Sequence, residues 1–156
     1  MSLWFNENTG DLKHADNSEA TFELERAGYR KVMSANFARY FHFFVLKSRR
    51  TGKYILKYIS KFYSYQLSYI NPKNYEFYED YEADMRKYNL LRKIDRSWVA
   101  AHAMLHDPQY LHRKLLKVIK RKKDIPSDAL NFALSLLPPD LRRDVEAQLI
   151  AKAFKQ

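Results

Sequence analysis

The fold class depends on residues 40–60, which read YFHFFVLKSRRTGKYILKYIS. One interpretation is helical, because five apolar residues around the first half follow helical spacing: Phe37, Tyr40, Phe41, Phe44 and Val45. The other interpretation is a β-hairpin, in which residues 40–47 and 53–59 are strands joined by a turn containing Gly52. The sequence of this segment is therefore ambiguous between helix and strand.

Composition and context favour different structures for this segment. Aromatic and β-branched residues are common in strands, and residues 63–69 alternate tyrosine or leucine with polar residues. Six polar residues nevertheless share one helical face: Lys53, Lys57, Ser60, Lys61, Ser64 and Ser68. We predict helix here, because the other segments have helical patterns and an isolated hairpin is marginally stable. A β-hairpin within residues 40–70 stays open as the alternative.

The remainder of the chain has clear helix signals. Ser18 is a candidate N-cap for a helix from 19 to about 33. Residues 75–94 are acidic first and basic later, which complements a helix dipole. Asp107 followed by Pro108 predicts the start of a basic amphipathic helix over residues 108–123. The sequence therefore predicts a mainly α fold of about five to seven helices.

Length and composition indicate one globular domain. The chain has 156 residues, of which 46% are hydrophobic. We predict an acidic N-terminal arm over residues 1–17, followed by a single helical domain over residues 18–156. The absence of cysteine excludes disulfides and cysteine-ligated metals. No apolar run reaches the roughly 20 residues that cross a bilayer, and residues 1–16 are unlike a signal peptide. We therefore predict an intracellular protein of a reducing compartment that does not span a membrane.

Positive charge is concentrated in one part of the chain. The net charge is +10, and residues 26–73 contain eleven Lys or Arg and no Asp or Glu. Twelve aromatic residues lie in the same 48-residue stretch. Cations can neutralise phosphates while aromatic rings stack on unpaired bases. Alternatively, Tyr and Trp can lie at a membrane interface while Lys and Arg contact anionic head groups.

Two basic segments therefore supply the candidate residues for binding an anionic partner. The first segment contributes seven residues: Arg49, Arg50, Lys53, Tyr54, Lys57, Tyr58 and Lys61. The second, within residues 108–123, contributes four: Arg113, Lys117, Lys120 and Arg121. We expect the first segment to provide salt-resistant binding through its rings, and the second to provide salt-sensitive attraction.

The sequence offers no complete set of catalytic or metal-binding residues. His102 and His106 have the i, i+4 spacing at which a helix can present two ligands to one metal. Nothing nearby supplies the third and fourth ligands. No glycine-rich phosphate loop or nucleophile motif is present. We therefore predict no enzyme activity, no cofactor and no metal.

Residues 54–61 have the pattern Tyr-x-x-Lys-Tyr-x-x-Lys. Over these eight residues the chain resembles the rolling-circle replication initiators, in which a tyrosine attacks a DNA phosphate. That family also requires a His-hydrophobic-His metal pair, whereas this chain has only His42 upstream. The sequence does not assign the chain to that family.

Two functional hypotheses follow from this composition. The first is a non-catalytic basic subunit or adaptor of a large multiprotein assembly, with a membrane-associated, respiratory-type complex on the matrix side of the mitochondrial inner membrane as the concrete form. Its partners would be other protein subunits and anionic lipid head groups. The alternative is an RNA- or DNA-binding protein of ribosomal, phage or plasmid type.

Overall fold

Helices and two small antiparallel sheets make up the chain, which the computed structural model describes over residues 1–121 and 123–155. Helical residues account for 56% of the structure and strand residues for 18%. The chain divides into two compact units, Met1–Ala83 and Asp84–Gln156. Every strand among the described residues belongs to the first unit, and the second unit is helical.

A three-stranded antiparallel sheet with the order β2-β1-β3 opens the first unit. Its strands are β1 (Ser2–Phe5), β2 (Leu12–Ala15) and β3 (Arg30–Ser34). Trp4 lies on one face, where it packs with Tyr29 and with helix α1 (Ser18–Arg26). Leu3 and Phe5 lie on the opposite face and are buried. The central strand is therefore buried on both sides.

A two-stranded β-hairpin follows a short helix, α2 (Ala35–Ala38). Its strands are β4 (Phe41–Lys47) and β5 (Tyr54–Ser60), paired from Phe41 with Ser60 to Lys47 with Tyr54. Gly52 has a φ of 72° in the connecting turn, a conformation that favours glycine. Alternate residues of the hairpin point to opposite faces, and Phe44, Leu46 and Ile59 are buried on the inner face. Two 3₁₀ segments follow, Lys61–Ser68 and Pro72–Asn74.

The prediction of a mainly α fold is wrong, because the first unit contains two sheets. Residues 41–47 and 54–60 form the hairpin that we had kept as the alternative to helix. The sheet is also not confined to residues 40–70, since β1 and β2 lie within the predicted acidic arm. Residues 30–34, predicted to end a helix, pair instead with β1. The physical reason is burial: strand pairing covers the apolar residues of β1, which are too few to show periodicity.

Five helices account for most of the rest of the chain. They are α3 (Tyr78–Leu91), α4 (Trp98–His106), α5 (Pro108–Lys120), α6 (Ser127–Leu136) and α7 (Pro139–Phe154). The Asp107 carboxylate accepts hydrogen bonds from the Gln109 and Tyr110 backbone N–H groups, which confirms the predicted start of α5. The described residues contain seven α-helices, so the predicted number is confirmed.

Candidate functional site

The outer face of the β4–β5 hairpin is partly open to solvent. Strand alternation places Phe41, Phe43 and Val45 of β4 on this face, opposite Ser60, Tyr58 and Leu56 of β5. Tyr58 keeps 47% of its surface exposed and Val45 keeps 40%. The hairpin therefore buries its inner face and leaves its outer face partly exposed, because Phe41, Phe43 and Leu56 are half-buried there.

Ring contacts order this outer face. Tyr58 makes an edge contact with Phe41, at 5.3 Å between ring centroids, and a tilted contact with Phe43, at 5.9 Å. At the end of the hairpin, Tyr40 stacks on Phe62, with centroids 6.3 Å apart. These five residues form what we call the aromatic face: Tyr40, Phe41, Phe43, Tyr58 and Phe62. Their mutual packing restricts the rings before any partner arrives.

Cations border the aromatic face. The Arg39 guanidinium lies 4.9 Å from the Tyr40 ring centroid and donates a hydrogen bond to the Tyr40 hydroxyl, at 2.8 Å. Lys61 begins the 3₁₀ segment next to Phe62, and its side chain is exposed. Lys47 lies on the outer face at the far end of β4 and is also exposed. Positive charge and flat rings therefore occur side by side.

Other predicted cations of the first unit are engaged within the protein. Arg49 pairs with Asp80, at 2.9 Å between nitrogen and oxygen, and stacks 4.0 Å from the Phe77 ring centroid. Lys53 pairs with Glu7 at 3.2 Å. The Lys57 amine lies on the inner side of the hairpin, 5.9 Å from the ring centroid of Tyr81. These contacts hold Arg49, Lys53 and Lys57 in place and lower their availability to a partner.

The hairpin turn encloses a carboxylate. Glu79, in the first turn of α3, accepts hydrogen bonds from the Ser48 hydroxyl at 2.6 Å and from the backbone N–H groups of Arg49 at 3.0 Å and Arg50 at 3.2 Å. The bond from Ser48, followed by the bond from the Arg49 backbone, lowers the pKa of Glu79 to about 2. The turn is thus an anion-binding loop whose anion comes from the protein itself.

The two predicted tyrosines have different roles. Tyr58 belongs to the aromatic face, whereas Tyr54 packs against Gly10, where an added Cβ would lie 3.1 Å from the Tyr54 ring. Lys57 follows Leu56 on the strand and lies on the face opposite both tyrosines. The Tyr-x-x-Lys-Tyr-x-x-Lys pattern therefore does not bring Lys57 beside either hydroxyl. Arg50 is exposed at the turn.

The second unit carries the other predicted cluster on α5. Four side chains lie exposed on this helix and its C-cap, and we call them the basic stripe: Arg113, Lys117, Lys120 and Arg121. None of the four makes an ion pair within residues 1–121 and 123–155. Leu111 and Leu115 on the other side of α5 are fully buried. The positive charges of the basic stripe are therefore exposed to solvent.

Two neighbouring side chains of α5 lie against carboxylates. Lys114 pairs with Asp95 at 2.5 Å, and its hydrogen bond is the main reason that the pKa of Asp95 is lowered. His112 lies 2.6 Å from the Asp144 carboxylate. The helix α5 thus has exposed basic side chains and others that are paired, Lys114 with Asp95 before α4 and His112 with Asp144 of α7.

The histidine pair lacks the rest of a metal site. The His102 and His106 ring centroids are 4.5 Å apart, and the Tyr88 hydroxyl lies 2.8 Å from His102 Nδ1. Among the residues that the structure describes, no group of three or more His, Asp or Glu could hold a metal ion. We assign no metal to this pair.

Sequence reasoning missed most of the aromatic face. Phe41, Phe43 and Phe62 were not among the predicted binding residues, and neither was Arg39. A helical interpretation placed Phe41 toward a core, whereas a strand puts it on the outer face with Phe43. The aromatic and β-branched enrichment of residues 41–47 and 54–59 around a turn containing Gly52 was the signal that could have found them.

No helix in the described part of the chain is both long enough and apolar enough to cross a membrane. No protein-family model, no curated protein and no solved structure matches this chain significantly.

Proposed function

We propose that this protein binds single-stranded nucleic acid through the aromatic face of its β-hairpin. The observation that carries the proposal is the cluster of the exposed Tyr58 with the half-buried Phe41 and Phe43 on one strand surface, continued by the exposed Tyr40–Phe62 stack. Rings held in this way can stack on bases, because every base has a flat face. The interaction requires unpaired bases, since a duplex covers those faces.

Charge near the rings supports the same partner. Arg39, Lys47 and Lys61 lie at the borders of the aromatic face, where phosphates of a bound strand would pass. The whole chain has a net charge of +10, which favours a polyanion over a neutral ligand. Within the second unit, the basic stripe of α5 would add phosphate contacts that carry no base preference. No catalytic step belongs to this proposal.

A matched set of variants tests the proposal. We expect Tyr58→Ala combined with Phe62→Ala to lower affinity for single-stranded oligonucleotides by roughly thirtyfold or more, because two stacking rings are removed and each stacked base contributes about 1–3 kcal/mol. Fluorescence anisotropy at low and high salt measures the loss. Phe22→Ala is the control, since Phe22 is 62% exposed on α1, away from the hairpin. Equal binding by the double variant and the control would refute the role of the aromatic face.

A second candidate is an adaptor or subunit of a multiprotein assembly, including a membrane-associated, respiratory-type complex. The observation that favours it is the aliphatic part of the outer face, where Val45 and Leu56 extend the apolar surface. The internal pairing of Arg49 and Lys53 also leaves fewer cations for phosphates. Co-purification after nuclease treatment separates the two functions. A fixed set of polypeptides that no longer co-purifies with the Tyr58→Ala and Phe62→Ala double variant would favour the adaptor.

A further inference from the structure

An open groove lies beside the aromatic face in the first unit. Its floor is formed by short and branched aliphatic side chains of the three-stranded sheet and of α2: Leu3, Leu12, Ala35 and Ala38. The Phe43 ring forms one wall, and His14 and Arg39 are the polar residues at the rim. The groove measures about 290 Å³. The alanines create it, because their side chains do not fill the space between α2 and the sheet.

Two residues connect this groove to the aromatic face. Phe43 lines the groove and also contacts Tyr58 on the outer face of the hairpin, with ring centroids 5.9 Å apart. Arg39 lines the groove and stacks on Tyr40, the ring that in turn stacks on Phe62. A nucleic-acid strand lying on the aromatic face would therefore reach the groove without crossing any other surface.

The rim residue Arg39 is positioned in advance. One of its terminal nitrogens donates to the Tyr40 hydroxyl at 2.8 Å, and the guanidinium plane lies over the Tyr40 ring. An arginine has five N–H groups, so others remain to bind a ligand in the groove. Because the guanidinium is already held, less side-chain entropy is lost when a ligand accepts those hydrogen bonds.

We propose that the groove holds one base of the bound strand and that Arg39 makes guanine the preferred base. This inference rests on the proposed function. The groove is at the lower end of the size range of ligand pockets, about 300–1,000 Å³, which suits a single base and not a longer ligand. Its apolar floor and the Phe43 ring match the faces of a base. Arginine pairs best with guanine, since O6 and N7 accept two parallel N–H bonds.

The test compares three short oligomers of the same length: thymidine throughout, thymidine with one central guanosine, and thymidine with one central adenosine. We expect the wild-type protein to bind the guanosine oligomer roughly tenfold more tightly than the other two, as a bidentate pair of hydrogen bonds predicts. Arg39→Lys keeps the charge and removes the bidentate geometry. Ala35→Leu fills the groove. Both variants should bind the three oligomers with equal affinity, and Ala35→Leu should bind all of them more weakly than the wild type binds the thymidine oligomer.

Arg50→Lys is the matched control, because Arg50 is an exposed arginine at the hairpin turn, away from the groove; it should keep the preference for guanosine. Equal wild-type affinity for the three oligomers would overturn the inference, while the proposed function would survive if Tyr58→Ala with Phe62→Ala still weakened binding. A preference that persists in both Arg39→Lys and Ala35→Leu would also overturn it. No binding of any oligomer by the wild type would overturn the inference and the proposed function together.

Discussion

The β4–β5 hairpin and helix α5 have similar compositions, but they expose different kinds of side chain. Each combines basic and apolar residues within a short segment, and each was predicted to bind an anionic partner. In the hairpin, Arg49 and Lys53 are paired within the protein, while Tyr58 is exposed on the outer face beside the half-buried rings of Phe41 and Phe43. In α5, the apolar residues Leu111 and Leu115 are buried, and the basic stripe is exposed.

The difference shows that composition does not tell which half of an amphipathic segment faces a partner. A hairpin with one buried face can present its second apolar face, because its side chains alternate between two sides. A helix packed in a helical unit has a single apolar side, and packing covers it. We therefore expect ring stacking from the hairpin and electrostatic attraction from α5, and the following variants test that division.

The largest effect is expected from the buried side of α5. Leu115→Ala should lower the free energy of unfolding by about 3 kcal/mol, because it removes a fully buried side chain and leaves a cavity. Urea denaturation measures the decrease. Ile150→Ala is the control, since Ile150 is 58% exposed and should cost about 0.5 kcal/mol or less. A cost below about 1 kcal/mol for Leu115→Ala would mean that α5 does not use this side for its core.

The hairpin turn should respond to acid through Glu79. Its pKa falls from 4.5 to about 2 in the folded protein, so Glu79 stabilises the fold above pH 4.5. That stabilisation disappears as the pH falls from 4.5 through about 2. Glu79→Gln should lower the melting temperature by several degrees at neutral pH. The gap between the variant and the wild type should close in acid.

Thermal melts from neutral pH to pH 2 measure this gap. The control is Glu76→Gln, because the Glu76 carboxylate has no hydrogen bond among the described residues. It should melt like the wild type near neutral pH. A gap between Glu79→Gln and the wild type that stays constant over the whole pH range would show that the carboxylate charge does not hold the turn.

The basic stripe should change the salt dependence of binding. Replacing Arg113, Lys117, Lys120 and Arg121 with Gln should flatten the slope of log affinity against log salt by about 0.7 for each single-strand phosphate that the stripe neutralises in the wild type. The Tyr58→Ala and Phe62→Ala double variant should lower affinity at every salt concentration and keep the slope. Anisotropy titrations over a salt series measure both. If the double variant flattens the slope and the replacement of the basic stripe leaves it unchanged, the roles of the two regions are reversed.

The smallest effect distinguishes two adjacent arginines of the hairpin turn. Arg49→Ala should cost about 0.5–1 kcal/mol, because it removes a half-exposed ion pair and the stacking on the Phe77 ring. Arg50→Ala should cost less, since the backbone N–H of Arg50 supplies its bond to Glu79 and is unchanged. Chemical denaturation compares the two. Equal costs would mean that the Arg49 side chain contributes no stability through Asp80 or Phe77.

Local signals predicted the helical unit well and the sheets poorly. The Asp107 cap and Pro108 place the start of α5 correctly, because capping depends on a few adjacent residues. The strand β1 gives no such signal, since Ser2–Phe5 is short and is buried by partners at residues 12–15 and 30–34. The basic stripe was predicted correctly as a group of exposed residues, because its members follow the spacing of a single helix. The aromatic face was not, because it requires the pairing of β4 with β5.

Residue order and composition determined that this chain is basic, rich in aromatic residues, free of cysteine and able to start helix α5 at a defined cap. These properties depend on residue type and on neighbours within one helical turn. Tertiary structure decided which cations of the hairpin are paired and which of its rings are exposed. Arg49 meets Asp80, and Lys53 meets Glu7, across 31 and 46 residues of chain respectively. Such contacts arise only when long-range pairing brings distant segments together, so adjacent residues such as Arg49 and Arg50 acquire different roles.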